Sequence, residues 1–423
     1  MPNPVFADGV APAKSAARAF IPYVLDTLTT LRTTDMGGTW LVYVRAVDLW
    51  FERDPSDTTS PDNGITIIVD AAGARWKLAQ IARDRLTGSR SYYVRTDGND
   101  NNDGLANSAG RAFATIQKAL DVVGALDLGV FTVAIWINDG TYAITSPLRY
   151  RGYQGGQVTL RALNDPLTTP DGITLTGTRA TDEAAVRASH RVVVEASTNI
   201  NLIYCDPAGG PGTVRGIAFI QTGAHASGVL AHFSSVAVGY VQCSFVGGGA
   251  QVVSQSRATF SNCLACHQSG SPLSLQAAGN VYMATTVLAY PGSANVLSIV
   301  DGSTLQAWAS ARFIQGGALS NVNVDRSSNA YFNGAAFVGG TNSVAVGQAD
   351  AQLVNCTFNG QSARVIFATA AARVLINGGT IASGATQIYA ERRASVRIAA
   401  APSGSPTYAP ALATIGNNEG YIS

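Results

Sequence analysis

The acids most able to work as a pair are Asp301 and Asp325. Cleavage of a glycosidic bond ordinarily uses two carboxyl groups, about 5 Å apart in a retaining site and about 6.5–9.5 Å apart in an inverting one. Asp301 lies 12 residues before Phe313 and Asp325 lies 12 before Phe337, and both phenylalanines belong to a recurring set of apolar positions. If those positions mark stacked units, the two acids occupy adjacent rungs with backbones about 4.8 Å apart. One carboxyl of such a pair has its pKa raised, as a general acid requires. Asp350, eight residues before Phe358, falls near the same edge and could hydrogen-bond a sugar. Glu195 and Asp206 are further acids outside this set. Trp308, Tyr331 and Tyr290 could stack on sugar rings, although spacing alone favours a place in the core or at a subunit interface. The plainer reading of the acids is a turn after a strand, because other repeats carry Ser254, Gln276, Gly347 and Thr369 there.

Other chemistries find little support. The loop "DGNDNNDG" invites calcium, yet an EF-hand starting at Asp97 would need Gly at Asn102 and Glu at Ser108. Turn chemistry of Asn, Asp and Gly explains it, and no metal site is expected. The cysteines, Cys205, Cys243, Cys263, Cys266 and Cys356, are odd in number, which does not fit a disulfide framework. Cys243, Cys263 and Cys356 each precede a repeat position by two, so they share its strand face and read as small core residues. His190, His225, His232 and His267 have no recognisable acid or nucleophile partner in the sequence. The glycine run "VGGGA" at 246–250 lacks a phosphate-binding Lys. No cofactor is expected.

The elements that would position these residues follow from the repeat. An apolar residue recurs at Phe219, Phe245, Ala265, Val287, Phe313, Phe337, Phe358 and Ile381, about every 23 residues. A short alternating strand leads into each and a Gly-rich turn leads out. Units of this size bury a core only by stacking on their neighbours. The leucine-rich frame and long amphipathic helices are both absent, so the pattern predicts an all-β parallel β-helix with three short strands per coil. Residues 131–398 would form about a dozen coils, rising about 4.8 Å each.

Composition agrees. Only 13% of the 423 residues are charged and 46% are hydrophobic, with 44 glycines and a net charge of +1. Disorder would pair low hydrophobicity with high charge, and nothing steers the chain toward nucleic acid or an anionic membrane. No acidic residue stands between Asp206 and Asp301. The low charge predicts that much of the lateral surface is buried against other copies. No apolar run is long enough to span a membrane and the N-terminus lacks a secretory h-region, so assembly in a cytoplasm is expected.

Four regions are expected. Residues 1–90 read as a small α+β domain, with a helix over 15–33, strands within 39–54 and 64–70, and a closing segment at 71–81. Residues 91–125 hold a strand, the Asn/Asp/Gly loop and an amphipathic helix over 113–125 that would cover the open first coil. Residues 126–400 form the β-helix, in which "GITLTGT" (172–178) reads as a strand and no second helix is expected. Residues 401–423 are a tail.

Two segments resemble a known family. "YYVRTDGNDNNDGL" followed by "AFATIQKALDVV" is similar to the opening motif of pectate-lyase-like right-handed β-helices, above all phage tailspikes. "DLWFERDPSDTTSPDNGITIIVDAAGARWKL" resembles the particle-anchoring segment of those tailspikes. The resemblance covers residues 48–123. It implies a right-handed parallel β-helix, a homotrimer, attachment to a phage tail, baseplate or particle protein through residues 1–90, and recognition of host surface polysaccharide. It carries over no catalytic residue. The reading it favours is a structural receptor-binding spike on a virion. A tailspike depolymerase, either endoglycosidase or polysaccharide lyase, is the alternative, and a bacterial surface β-helix adhesin is the third.

Overall fold

A computed structural model describes residues 23–37, 39, 41–47, 49–64, 67–78, 84–150, 154–198, 200–205, 212–222, 230–232, 237–247, 250–252, 256–267, 271–290, 294–308, 310–316, 319–384, 387–400, 402–404, 407–409 and 421–422. The chain divides into two units, Met1–Asp84 and Arg85–Ser423.

The first unit is a five-stranded sheet with strand order Tyr23–Leu25, Leu41–Val44, Leu49–Asp54, Arg75–Leu78, Ile67–Val69. The first pair is parallel and the other three are antiparallel. Its core is Leu25, Leu31, Met36, Val42, Val44, Phe51, Ile68 and Trp76. The helix expected over 15–33 is only α1, Leu28–Thr33, opened by the Thr27 hydroxyl accepting from the Thr30 amide at 3.1 Å. Pro22 cannot continue a helix, and after it Val24 faces outward while Leu25 is buried, the alternation of a strand. The part of that expected helix before residue 23 lies outside the described residues.

The second unit is the predicted solenoid, built from three parallel ladders. Ladder A is represented by Ala237–Val241, Arg257–Ser261, Asn280–Ala284, Thr304–Trp308 and Asn329–Asn333. A two- or three-residue corner leads to ladder B: Ser244–Val246, Leu264–Cys266, Val287–Ala289, Arg312–Gln315 and Ala336–Gly339. Ladder C is an eleven-stranded sheet running from Leu148–Tyr150 to Thr407–Ala409. The last of these strands and Tyr421–Ile422 fall in the segment expected as a tail. Coils are fewer than the dozen expected because the first is long: Leu148 pairs directly with Ile203. Its extra chain includes α3, Arg179–Ser189, which the sequence reading did not anticipate, and "GITLTGT" is a covering segment rather than a strand.

The repeat positions stack inside as predicted. Phe219 lies over Phe245 at 5.6 Å between ring centroids, and Phe313, Phe337 and Phe358 follow at 5.2 and 5.4 Å with nearly parallel planes. Such offset ring pairs add about 0.5–1.5 kcal/mol beyond area burial. One position is corrected. Ala265 pairs with Leu288 and Leu288 with Phe313, whereas Val287 pairs with Leu264 and Arg312 on the outer face. A slip of one residue exchanges the faces of a strand. Alternation could not reveal it, because α3 and the segment before it cover this part of ladder B, burying Leu264, Cys266, Val287 and Ala289 from outside.

The open first coil is closed by the expected helix, α2, Ile116–Gly124, whose Ile116, Ala119, Leu120 and Val123 are buried. Thr115 caps it, accepting from the Lys118 amide at 3.2 Å. Gln117 then imitates a strand. Its Oε1 accepts from the Arg149 amide at 2.9 Å and its Nε2 donates to the Arg149 carbonyl at 3.2 Å, pairing an exposed edge of ladder C. Ahead of α2, the "DGNDNNDG" loop is an Asx-turn structure. Asp97 pairs with Arg95, Asp103 with Arg111, and Asp100 accepts from the Ala114 and Thr115 amides and the Thr115 hydroxyl. Its glycines make room for Phe113: a Cβ on Gly98 would meet the Phe113 carbonyl oxygen at 2.3 Å, and one on Gly104 (φ +73°) would meet the ring at 2.2 Å.

Candidate functional site

The register does not bring Asp301 and Asp325 to equivalent rungs. Ile299 pairs with Val324, so the residue in line with Asp301 is Arg326, and the two form an exposed ion pair at 3.2 Å. Asp325 lies opposite Gly347 instead, and its Oδ1 accepts the Arg326 amide at 2.8 Å. The cause is one extra residue at a corner. Trp308 pairs with Asn333 but Arg312 pairs with Ala336, so three residues turn the first coil and two turn the next. Counting back from Phe313 and Phe337 across that corner shifts the register by one.

Asp350 opens a ladder A strand in line with Asn329 and Arg373, and the Arg373 guanidinium grips it in a bidentate pair at 2.7 and 2.6 Å. Glu195 is paired with Arg187 at 2.6 Å. Asp206 lies outside the described residues. Trp308 and Tyr331 come together on the outer side of ladder A, ring centroids 5.1 Å apart and tilted by 49°. Both are half-buried and so are not core residues. Tyr290 is elsewhere, at the exit of ladder B, stacked on His267 at 5.3 Å.

That stack belongs to a cluster the sequence did not reveal. The covering segment 171–177 lies on the outer face of ladder B and α3 follows it. Asp182, in the first turn of α3, is fully buried. Its Oδ1 accepts from the Thr176 amide and hydroxyl, both at 2.7 Å, and its Oδ2 from the Gly177 amide at 3.0 Å. His267 Nε2 meets Oδ2 at 2.6 Å, tying α3 to the solenoid across 85 residues of sequence. Burial pushes the Asp182 carboxyl up, but the hydrogen bonds from His267, Thr176 and Gly177 win and hold it below the usual carboxylate range. Beneath lies Cys266, whose thiol is pushed well up by burial. Cys243, Cys263 and Cys356 are buried at the corners between ladders A and B, as core packing predicts; burial takes Cys243 up to about 12. Inert thiols of this kind are the opposite of reactive ones. His190 is also buried, its Nδ1 against the Val186 carbonyl and Ser189 hydroxyl. The side chains of His225 and His232 are outside the described residues.

Beside the cluster, a groove of about 550 Å³ runs between Asp171–Leu175 and the coils carrying Thr285–Val287 and Ser310–Ile314. This volume is within the range of small-ligand sites, about 300–1,000 Å³.

With this geometry established, known proteins supply context, and they bear first on the small N-terminal sheet. Residues 24–81 match the phage tail protein small four-stranded β-sheet domain. The four antiparallel-linked strands of the first unit account for this tail domain. No curated protein matches the chain. Among solved structures, the chain is similar to the Acinetobacter phage vb_AbaP_AS12 gp42 tailspike at 12% identity and TM-score 0.44, over 95% of this chain and 73% of that one. It is similar to tailspike protein 2 of Escherichia coli O157:H7 bacteriophage CAB120 at 14% and 0.34, over 90% and 51%. A third is tailspike gp49 of Acinetobacter baumannii bacteriophage Fri1, a capsular polysaccharide depolymerase, at 12% and 0.33, over 94% and 76%. The chain thus spans about half the length of the CAB120 protein and about three quarters of the other two.

The polar residues of the tail domain hold its loops. Arg32 of α1 makes a bidentate pair with Asp62 at 2.8 and 2.9 Å, and Lys77 bridges Asp54 at 2.7 Å and Asp57 at 3.0 Å. The Lys77 ammonium and the Ser56 hydroxyl and amide lower the Asp54 carboxyl to about 2. Trp76 is anchored by its indole N–H to Asp70 at 2.9 Å. The "DPS" and "DNG" turns of the sequence are therefore the rims of this sheet.

Proposed function

We propose that the chain is a spike of a phage tail or related particle, a homotrimer that binds host surface polysaccharide. The observation that carries the reading is the order of its parts: a phage-tail domain over residues 24–81, followed by a capped parallel solenoid. The first is the natural attachment to a tail, baseplate or particle protein, which makes the chain a virion component. The second offers a long rigid flank on which glycan contacts can repeat. The small number of charges supports lateral association of three copies. Among the described residues no helix is long and apolar enough to cross a membrane.

Binding without cleavage is the favoured form. Asp301, Asp350 and Glu195 each face an arginine, so none stands as an uncompensated acid beside a second carboxyl. Substitution of Asp301 and Asp325 tests this reading if cleavage is found, and Asp350, Trp308, Tyr331 and Tyr290 are the residues to test for glycan contact.

The deciding experiment incubates the full chain with purified surface polysaccharide of a bound bacterial strain and follows it by size exclusion with light scattering. Polysaccharide of unchanged length co-eluting with a particle three times the 43.8 kDa chain mass supports the binding spike. Shortened polysaccharide supports the depolymerase, and a labelled chain that binds no bacterial surface overturns both.

A further inference from the structure

The groove beside α3 holds two opposite charges that do not join. The Arg312 side chain donates one hydrogen bond, from Nη2 to the backbone carbonyl of Asp171 at 2.5 Å, and makes no ion pair among the described residues. Asp171 lines the same groove, its side chain makes no ion pair among the described residues, and its Oδ1 has no hydrogen-bond partner there. Elsewhere in this solenoid arginines and acids close onto each other, as Arg373 does on Asp350 and Arg215 on Asp165. An acid and an arginine left unjoined at one cavity can each take up a polar group of a ligand.

The corner between ladders A and B gives a second, independent observation. On successive coils its left-handed position is filled by Gln242, Asn262, Thr285, Ser310, Gly334, Asn355 and Gly378, with φ between 48° and 70°. Asn and Gly suit that conformation, and a β-branched residue does not. Thr285 and Ser310 are the two hydroxyl residues of the series, and they are the two corners that line the groove. Backbone strain is thus retained at two hydroxyl residues that line the cavity. Thr174 adds a third hydroxyl, and Ile173, Val287 and Ile314 supply an apolar floor.

We propose that this groove is a saccharide subsite for a neutral, polyhydroxylated sugar. The inference rests on the polysaccharide-binding reading and gives it a location and a ligand class. Asp171 accepts only and Arg312 donates only, so a ligand serving both needs groups that donate and accept, as adjacent sugar hydroxyls do. A carboxylate sugar would satisfy Arg312 but would be repelled by Asp171. The aliphatic floor matches the C–H face of a sugar ring.

The test is saturation-transfer NMR and calorimetric titration of the full chain with maltotriose, cellotriose, mannotriose and galactotriose, and with trigalacturonate as the acidic probe. At least one neutral trisaccharide is expected to bind, and trigalacturonate is not. The double variant Thr285→Gly, Ser310→Gly relieves the corner strain, so it folds, and it should weaken binding tenfold or more. Arg312→Gln and Asp171→Asn should each weaken it as well. Binding to none of the neutral sugars, preference for trigalacturonate, or unchanged affinity in the glycine variant each overturn the proposal. If the chain still binds bacterial cells under any of those results, the spike reading stands and only the groove assignment fails.

Discussion

Removing the charge of Asp182 should release α3 from the solenoid. Asp182→Asn keeps the volume of the side chain and its Oδ1 contacts to Thr176, but puts an amide N–H where Oδ2 accepted from Gly177 and met His267. Losing the charge-assisted bond to His267 costs about 1.5–3 kcal/mol, and leaving the buried Gly177 amide unpaired costs about 1–3 kcal/mol. Taking about 3 kcal/mol, the open population of the α3 segment rises roughly a hundredfold. Cys266 reports on that opening, because it is fully buried beneath α3, while Cys243, Cys263 and Cys356 are buried in the solenoid core. Thiol labelling tracks the population of the open form when closing is fast. Labelling of Cys266, followed by peptide mapping, should therefore accelerate by about two orders of magnitude in D182N, with Cys263 unchanged. A rate within twofold of the parent, with no change in melting temperature, would refute the assignment of the His267–Asp182 contact as the clamp.

Phe337→Ala removes a fully buried ring stacked on both Phe313 and Phe358; the loss should exceed the usual about 3–5 kcal/mol of such truncations, read by urea unfolding. Gly104→Ala collides with the Phe113 ring at a left-handed position, so a loss above about 3 kcal/mol or failure to fold is expected, measured by thermal melting. Gln117→Leu removes two hydrogen bonds to the Arg149 backbone, which should cost about 1–3 kcal/mol and raise aggregation in light scattering. In the tail domain, Asp54, Asp57 and Asp62 have folded pKa values depressed by Lys77, by Ser60 and by Arg32, respectively. Their contribution is present above the unfolded value of about 3.9 and is lost as pH falls toward the folded values. Hydrogen-exchange protection factors over residues 41–78 of the full chain should fall between about pH 4 and pH 2, and D62N should flatten that dependence.

What could be read from the sequence was what repeats or what caps. The stacked phenylalanines, the small cysteines at the corners, the loop before Phe113 and helix α2 all obey local rules of period, turn chemistry and amphipathicity. The errors arose where tertiary cover cancelled those rules. Val287 and Leu288 are both buried, one beneath α3 and one in the core, so hydrophobicity could not choose the inward residue. Helix α3 has one large apolar residue, Val186, and its buried face is Asp182, Val186 and Ser189, so it carries no apolar stripe to detect. The partnership of Asp182 and His267 is set by a long excursion of the chain, which no spacing encodes.

The register also decides how acids can be used on this flank. In a parallel ladder, residues in line repeat about every 4.8 Å, so two in-line carboxylates face each other at close range and repel unless one is protonated. This chain instead places arginine in line with acid: Arg326 follows Asp301, and Arg373 follows Asp350. Each pair lies on an exposed surface, where it adds little stability but leaves no two carboxylates in line. If glycosidic cleavage does occur, its acid is then not Asp301 paired with an in-line carboxylate. Asp301→Asn should accordingly leave the release of reducing ends from host polysaccharide unchanged. A complete loss of reducing-end release in D301N, with the melting temperature preserved, would show that the Arg326 pair opens in the working protein and that the reasoning from register is wrong.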